Sequence, residues 1–268
     1  MFNYKQEGGI KMSKFKVDIN CDMGESFGVY NLGMDQEIIK YISSANIACG
    51  FHAGDPTVMD QTVKMAAEND VKVGAHPSFK DLVGFGRRKI DLEPEEVRQI
   101  MIYQIGALKA FAESHGLKLQ HVKPHGALNN MASTDKDLAL AIAKAIKEVD
   151  DELIFVALGG SAMYNAAKEV GIKAASEVFA DRAYNLDGTL VSRKYEGAVI
   201  EDPAEVKNRV LRMVKEGEVE TINGEILEVK ADTVCVHGDN PAAIDLVSEL
   251  TSSMEKNNVD IKAMREII

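Results

Sequence analysis

Seven times along the chain, a short apolar run of strand character is followed, across a short connection, by a segment whose apolar residues recur at helical spacing. The strand signals fall at Lys16–Asp22, Ser44–Cys49, Val71–Ala75, Leu117–Val122, Leu153–Leu158, Lys173–Val178 and Thr233–Val236. Helix signals follow over residues 35–41, 56–69, 94–115, 134–149, 161–171, 203–216 and 240–256. Pro56, Pro94 and Pro203 suit first helical turns, Ser133 or Thr134 can cap the fourth helix, and Gly116 and Gly171 suit helix ends. Such alternation specifies a parallel sheet covered by helices. Asn223-Gly224, between Val219 and Val229, predicts one β-hairpin outside the pattern.

A parallel sheet can stay open or close on itself. Open nucleotide-binding sheets carry a glycine-rich phosphate loop after the first strand. Here that position holds Asp22-Met23-Gly24-Glu25, an acidic turn unsuited to cradling phosphate. A closed β/α barrel explains more, because it gathers the C-terminal ends of all strands at one mouth. No repeat or linker divides residues 14–268, which read as one barrel domain. Residues 1–13 have no periodicity and read as an N-terminal extension, disordered or upstream of a true start at Met12.

Period-two alternation puts Asp18, Asn20 and Asp22 on one face of the first strand and Val17, Ile19 and Cys21 on the other. Such an acidic face must meet positive charge, a metal or donors to be buried. Candidates stand at the other strand ends: His52, His76, Lys123 and His125, Asp181 and Arg182, and His237. Five of the six histidines lie at or beside such ends, His121 among them. His115 alone sits elsewhere, at a helix C-terminus where it complements the dipole. One such histidine is usually structural; several converging with carboxylates define a site.

Imidazoles at a mouth serve as acid, base or metal ligand. Asp22, His52 and His76 are candidate ligands for a divalent metal, although no H-x-x-x-H pattern supports them. Lys123 can stabilise developing anions or simply neutralise Asp18 or Asp22. Glu25, just past the first turn, is a candidate substrate contact. In Gly84-Phe85-Gly86-Arg87-Arg88, the two guanidinium groups suit an anion clamp, or else a solvated loop. No P-loop and no G-x-S-x-G elbow occurs, so neither a P-loop ATPase nor a serine hydrolase is supported.

The net charge of -11 argues against a nucleic-acid or anionic-membrane binder. No apolar run approaches a membrane span, and no signal-peptide pattern opens the chain. Cys21, Cys49 and Cys235 are odd in number and far apart, which fits buried thiols in a reducing cytoplasm.

At these residues the chain resembles the LamB/YcsF family, the A-subunit family of bacterial and archaeal 5-oxoprolinase. The matching pieces are residues 17–25 (VDINCDMGE), 48–56 (ACGFHAGDP), 74–78 (GAHPS), 81–88 (DLVGFGRR), 122–128 (VKPHGAL), 177–184 (EVFADRAY) and 236–239 (VHGD). The family pattern continues past Leu128 with tyrosine, where this chain has Asn129. The resemblance implies a seven-stranded irregular β/α (TIM-like) barrel of the glycoside hydrolase/deacetylase type. It implies ATP-dependent opening of the 5-oxoproline lactam to L-glutamate, with ATP and Mg²⁺ as co-substrate and B and C subunits as partners. Such a reaction needs an anion clamp, for which Arg87, Arg88 and Arg182 are candidates. It also needs a base and an acid, for which His52, His76, His125 or His237 with Asp22 or Asp181 are candidates. Two alternatives remain: a stand-alone metal-dependent amidohydrolase or deacetylase on the same barrel, and a non-catalytic substrate-binding subunit.

Overall fold

The computed structural model describes residues 15–268, so the expected extension over residues 1–13 lies outside the described residues. The first strand, β1 (Phe15–Met23), is the longest, and its two halves have different partners. Residues 18–23 pair in parallel with β2 (Ser44–Ala48) on one side and with β9 (Thr233–Val236) on the other. The remaining strands, β3 (Lys72–His76), β4 (His121–Val122), β5 (Ile154–Leu158) and β6 (Ala174–Phe179), complete the circuit in chain order. Because β6 also pairs with β9, seven parallel strands close into the expected barrel. The hairpin forms as β7 (Glu218–Glu220) and β8 (Ile226–Glu228), outside the barrel.

The helices are α1 (Asp35–Ile38), α2 (Pro56–Glu68), α3 (Pro94–Ser114), α4 (Gly126–Ala132), α5 (Lys136–Val149), α6 (Ala162–Val170), α7 (Pro203–Lys215) and α8 (Pro241–Lys256). Local chemistry starts several of them. Asp55 accepts from the amides of Thr57 and Val58 ahead of α2, and Asn240 caps α8. The outward faces of the strands are apolar. Val17, Ile19, Cys21 and Met23 are all buried, each removing ~1.5–3 kcal/mol of apolar surface from water where the side chain is large. The inward faces are polar, and they form the site.

Four details differ from the sequence reading. β4 has two residues rather than six, although Gln120 just before it still donates its amide to Val73 O and accepts from the Ile154 amide. The short helix α4 was not expected. Asp135, not Ser133 or Thr134, caps α5 through the amides of Asp137 and Leu138. The C-terminal tail forms β10 (Val259–Ile261), which pairs with residues 15–17 of β1 beneath the barrel.

Candidate active site

Strand register builds the barrel interior in polar layers. In the lowest, Asp18 is fully buried and accepts hydroxyl hydrogen bonds from Ser43 (2.7 Å), Ser44 (2.5 Å) and Thr233 (2.5 Å). Burial nevertheless raises its carboxyl to about 6, with the charge of Glu177 adding to the effect. Asp18 is therefore a floor residue rather than part of the mouth. Asn20 lies one layer up and donates to Glu177 (3.2 Å) and Thr233 (2.7 Å). Its Oδ1 accepts from Asn46 at 2.7 Å, while Asn46 Oδ1 receives the His121 Nε2 proton at 2.7 Å. Gly74 makes this layer fit, since a Cβ there would overlap the His121 ring.

Lys123 crosses the next layer. Its ammonium lies 2.8 Å from Glu177, 3.1 Å from Asp22 Oδ1, 3.1 Å from Asn20 Oδ1 and 3.1 Å from Cys235 Sγ. The expected neutralising partner of Asp22 is thus present, and Glu177 joins it. Sequence reasoning did not single out Glu177, although a lone carboxylate within the strand AASEVF was the available signal. Asp22 directs its other oxygen to His76 Nε2 at 3.3 Å. Burial opposes ionisation of Asp22, but His76 and Lys123 together hold it well below the usual carboxylate range.

The expected metal set of Asp22, His52 and His76 is not the group that converges. Glu25, His52, His76 and His125 each place one donor atom so that all four lie within 4.8 Å of one another. Asp22 stands beside this group: its Oδ1 accepts from Lys123 and Asn46, and its Oδ2 faces His76. Two carbonyls orient the rings. His76 Nδ1 donates to Lys123 O at 2.7 Å, and His125 Nε2 donates to Phe85 O at 2.9 Å. The remaining nitrogens, His76 Nε2 and His125 Nδ1, face each other at 2.9 Å. His52 stacks on His125 at 3.9 Å between centroids, with neither of its nitrogens hydrogen-bonded. Burial pushes His52 well below the usual imidazole range and His125 down to about 3. Burial, followed by the charge of Asp22, lifts Glu25 to about 7.

The loop after β3 closes over this cluster. Gly86 is at φ +62°, and a Cβ there would meet Ser78 Oγ at 2.5 Å, His52 Cβ at 2.8 Å and His125 Cδ2 at 2.9 Å. Arg88 pairs with Asp81 and lies outside the cavity lining, so it fastens this loop. Arg87 lies 5.1 Å over the Phe85 ring and does line the cavity. Arg182 also lines it, but its guanidinium donates to the carbonyls of Val191 (2.6 Å) and Ala198 (3.3 Å), holding the 183–199 excursion in place.

On the other side of the mouth, His237 Nδ1 lies 3.0 Å from Asp181 Oδ2. Burial is the largest influence on His237 and depresses it. The hydrogen bond and charge of Asp181, with Asp22 and Asp239 behind, more than offset that and raise it above the ordinary imidazole range. These groups surround a cavity of about 540 Å³, which Asn129 and Arg193 also line. His115, as expected, stays away from the mouth; it pairs with Asp60 at 2.8 Å. The three cysteines are free and buried.

A closed seven-stranded parallel barrel with carboxylates, imidazoles and one buried ammonium at its C-terminal mouth has the architecture of the β/α-barrel enzymes, whose sites lie at that mouth. The chain is more closely placed by sequence. The LamB/YcsF family model matches residues 17–268, and the chain belongs to that family. A relative from Pyrococcus horikoshii, named as the A subunit of 5-oxoprolinase, is 56% identical over 94% of this chain and 99% of its own length. Another of that name, from Natranaerobius thermophilus, is 56% identical over 92% of this chain and 96% of its own. Among solved structures, a lactam utilization protein from Thermus thermophilus superposes with a TM-score of 0.89 at 46% identity, covering 92% of this chain and 99% of that one. A putative cellobiose-phosphate cleavage protein from Enterococcus faecalis, at 12% identity and a TM-score of 0.57, shares the fold. Among the described residues, no helix is long and apolar enough to cross a membrane.

Proposed function

We propose that this chain is the A subunit of a 5-oxoprolinase: it binds 5-oxoproline in the barrel mouth and opens its lactam to L-glutamate in an ATP-coupled reaction. The supporting observation is the division of the mouth. One side carries His237, kept protonated by Asp181, and the other carries the Glu25–imidazole cluster, with Lys123 and Asp22 between them. The names of relatives that match along nearly their whole length support the same substrate.

A five-membered lactam is a stable amide, and its hydrolysis gains from ATP. In this reading ATP, with Mg²⁺, phosphorylates the lactam oxygen. Water then adds to the activated carbon and loses a proton to Asp22, which lines the cavity. The ring nitrogen leaves as His237 protonates it, giving the open-chain acyl phosphate, which a second water releases as glutamate and phosphate. Arg87 faces the cavity, has no carboxylate partner among the described residues, and meets the phosphoryl charge. Partner B and C subunits supply part of the ATP-handling surface, and the complex works in the cytoplasm.

The four-donor cluster also favours a second reading, a metal-dependent amidohydrolase that turns over without ATP or partners. Glutamate formation by the full complex is the test of the main reading. His76→Ala and His237→Ala should each abolish most of it; undiminished turnover in either would remove that residue from the mechanism.

A further inference from the structure

We propose that Glu25, His52, His76 and His125 form a binding site for one first-row divalent cation of the Zn²⁺ type, apart from any Mg²⁺ that travels with a nucleotide. Three observations carry it.

The first is tautomeric. Lys123 O and Phe85 O each take the proton of one ring nitrogen, on His76 and His125 respectively. This leaves His76 Nε2 and His125 Nδ1 facing each other across 2.9 Å, with Asp22 Oδ2 3.3 Å from the same His76 nitrogen. One charge, a proton on His76 or a cation in its place, joins the two nitrogens.

The second is a deficit of partners. Among the described residues, both nitrogens of His52 and Oε1 of Glu25 are buried with no hydrogen-bond partner. His52 is 1% exposed, shut off from bulk solvent. Leaving such groups unpaired costs ~1–3 kcal/mol each, and one cation in their midst would serve a nitrogen of His52 and Glu25 Oε1 together.

The third is metric. Three of the six donor pairs stand 2.9 Å (His76 Nε2 to His125 Nδ1), 3.5 Å (His52 Nε2 to Glu25 Oε1) and 3.8 Å (His125 Nδ1 to Glu25 Oε1) apart, and all six lie within 4.8 Å. Tetrahedral Zn²⁺ with bonds of ~2.0–2.1 Å needs its ligands roughly 3.3 Å apart. The observed separations bracket that edge, and small side-chain rotations bring them to it. Three imidazoles and one carboxylate select zinc-type ions over Mg²⁺ or Ca²⁺, which prefer all-oxygen shells. Lys123 does not fill the position, since its ammonium lies a layer below, on Asp22 and Glu177. A bound cation would supply Lewis-acid charge beside the cavity. The site stands whether or not the substrate is a lactam.

Tag-free, chelator-stripped full-length protein titrated with Co²⁺, with Zn²⁺ as competitor, tests this. The expected result is one equivalent bound per chain, an intense visible absorption of low-coordinate Co²⁺, and its displacement by Zn²⁺. His52→Gln and His125→Gln should weaken binding at least tenfold, and His115→Gln should leave it unchanged. X-ray absorption of the Zn²⁺-loaded wild type reads the ligands without any variant; imidazole neighbours at ~2.0–2.1 Å are expected. No stoichiometric binding, an all-oxygen shell, or full affinity in folded His52→Gln would overturn the site. Cation binding without lactam opening by the full complex would keep the site and refute the proposed function. Lactam opening by a complex whose A chain binds no stoichiometric Co²⁺ or Zn²⁺ would keep the function and refute the site.

Discussion

Lys123 Nζ lies 3.1 Å from Asp22 Oδ1 inside the barrel, where both groups have given up most of their hydration. Glu177 stands 2.8 Å from the same ammonium, so one cation balances two carboxylates. Removing the cation should strand both. Lys123→Met, which keeps the volume, should cost ~3–5 kcal/mol in urea unfolding. Adding Glu177→Gln to it should recover part of that loss. A change below ~1 kcal/mol would show that the pair is not the interaction holding this layer.

Asp18 makes stability depend on pH with a defined sign. Its folded value of about 6 exceeds the ordinary 3.8, so the folded chain binds the extra proton between those values. Stability contributed by this group should therefore fall as pH rises from about 4 to about 6, by about 3 kcal/mol in total. Asp18→Asn should remove that component. Unfolding midpoints at pH 4.5, 5.5 and 7 in wild type and variant measure the difference, and identical slopes would contradict the assignment.

The His237–Asp181 pair should set the alkaline limb of activity. A raised imidazole keeps its proton above the ordinary range, and the acid form disappears as pH rises through the folded value. His237→Gln should lower kcat/KM of the complex by about 10²–10⁴-fold and erase that limb. Asp181→Asn removes the main raising partner, so the limb should move to lower pH. An unmoved limb in Asp181→Asn would show that another group titrates there.

Gly86 and Gly28 separate backbone strain from crowding. Both have positive φ, +62° and +56°, but only at Gly86 would a Cβ strike neighbours; at Gly28 nothing lies within 4 Å. Gly28→Ala should cost ~1 kcal/mol and Gly86→Ala about 2–4 kcal/mol. The excess at Gly86 should appear together with reduced turnover, because the displaced atoms belong to His52 and His125. Equal costs at the two positions would contradict the close approach.

The barrel was legible because seven strand–helix alternations and an acidic turn after the first strand leave few topologies. The site was legible at strand ends, where a parallel barrel converges distant residues without any local motif. What escaped was set by side-chain direction in three dimensions. Asp18 shares its face of β1 with Asp22, but lies two layers deeper, among hydroxyls. Arg87 and Arg88 are neighbours in sequence, yet one faces the cavity and the other locks Asp81. Glu25 meets His52 and His125, while Asp22 divides its oxygens between Lys123 and His76. The tail strand β10 and the helix α4 are too short to announce themselves by periodicity.

The most direct test of the lactam reading is the release of ADP and glutamate from 5-oxoproline, by this chain on its own and mixed with the proposed B and C subunits. The account predicts that glutamate forms only in the mixture, in step with ADP, and stops when ATP is withheld. Glutamate formed by this chain on its own without ATP would contradict it.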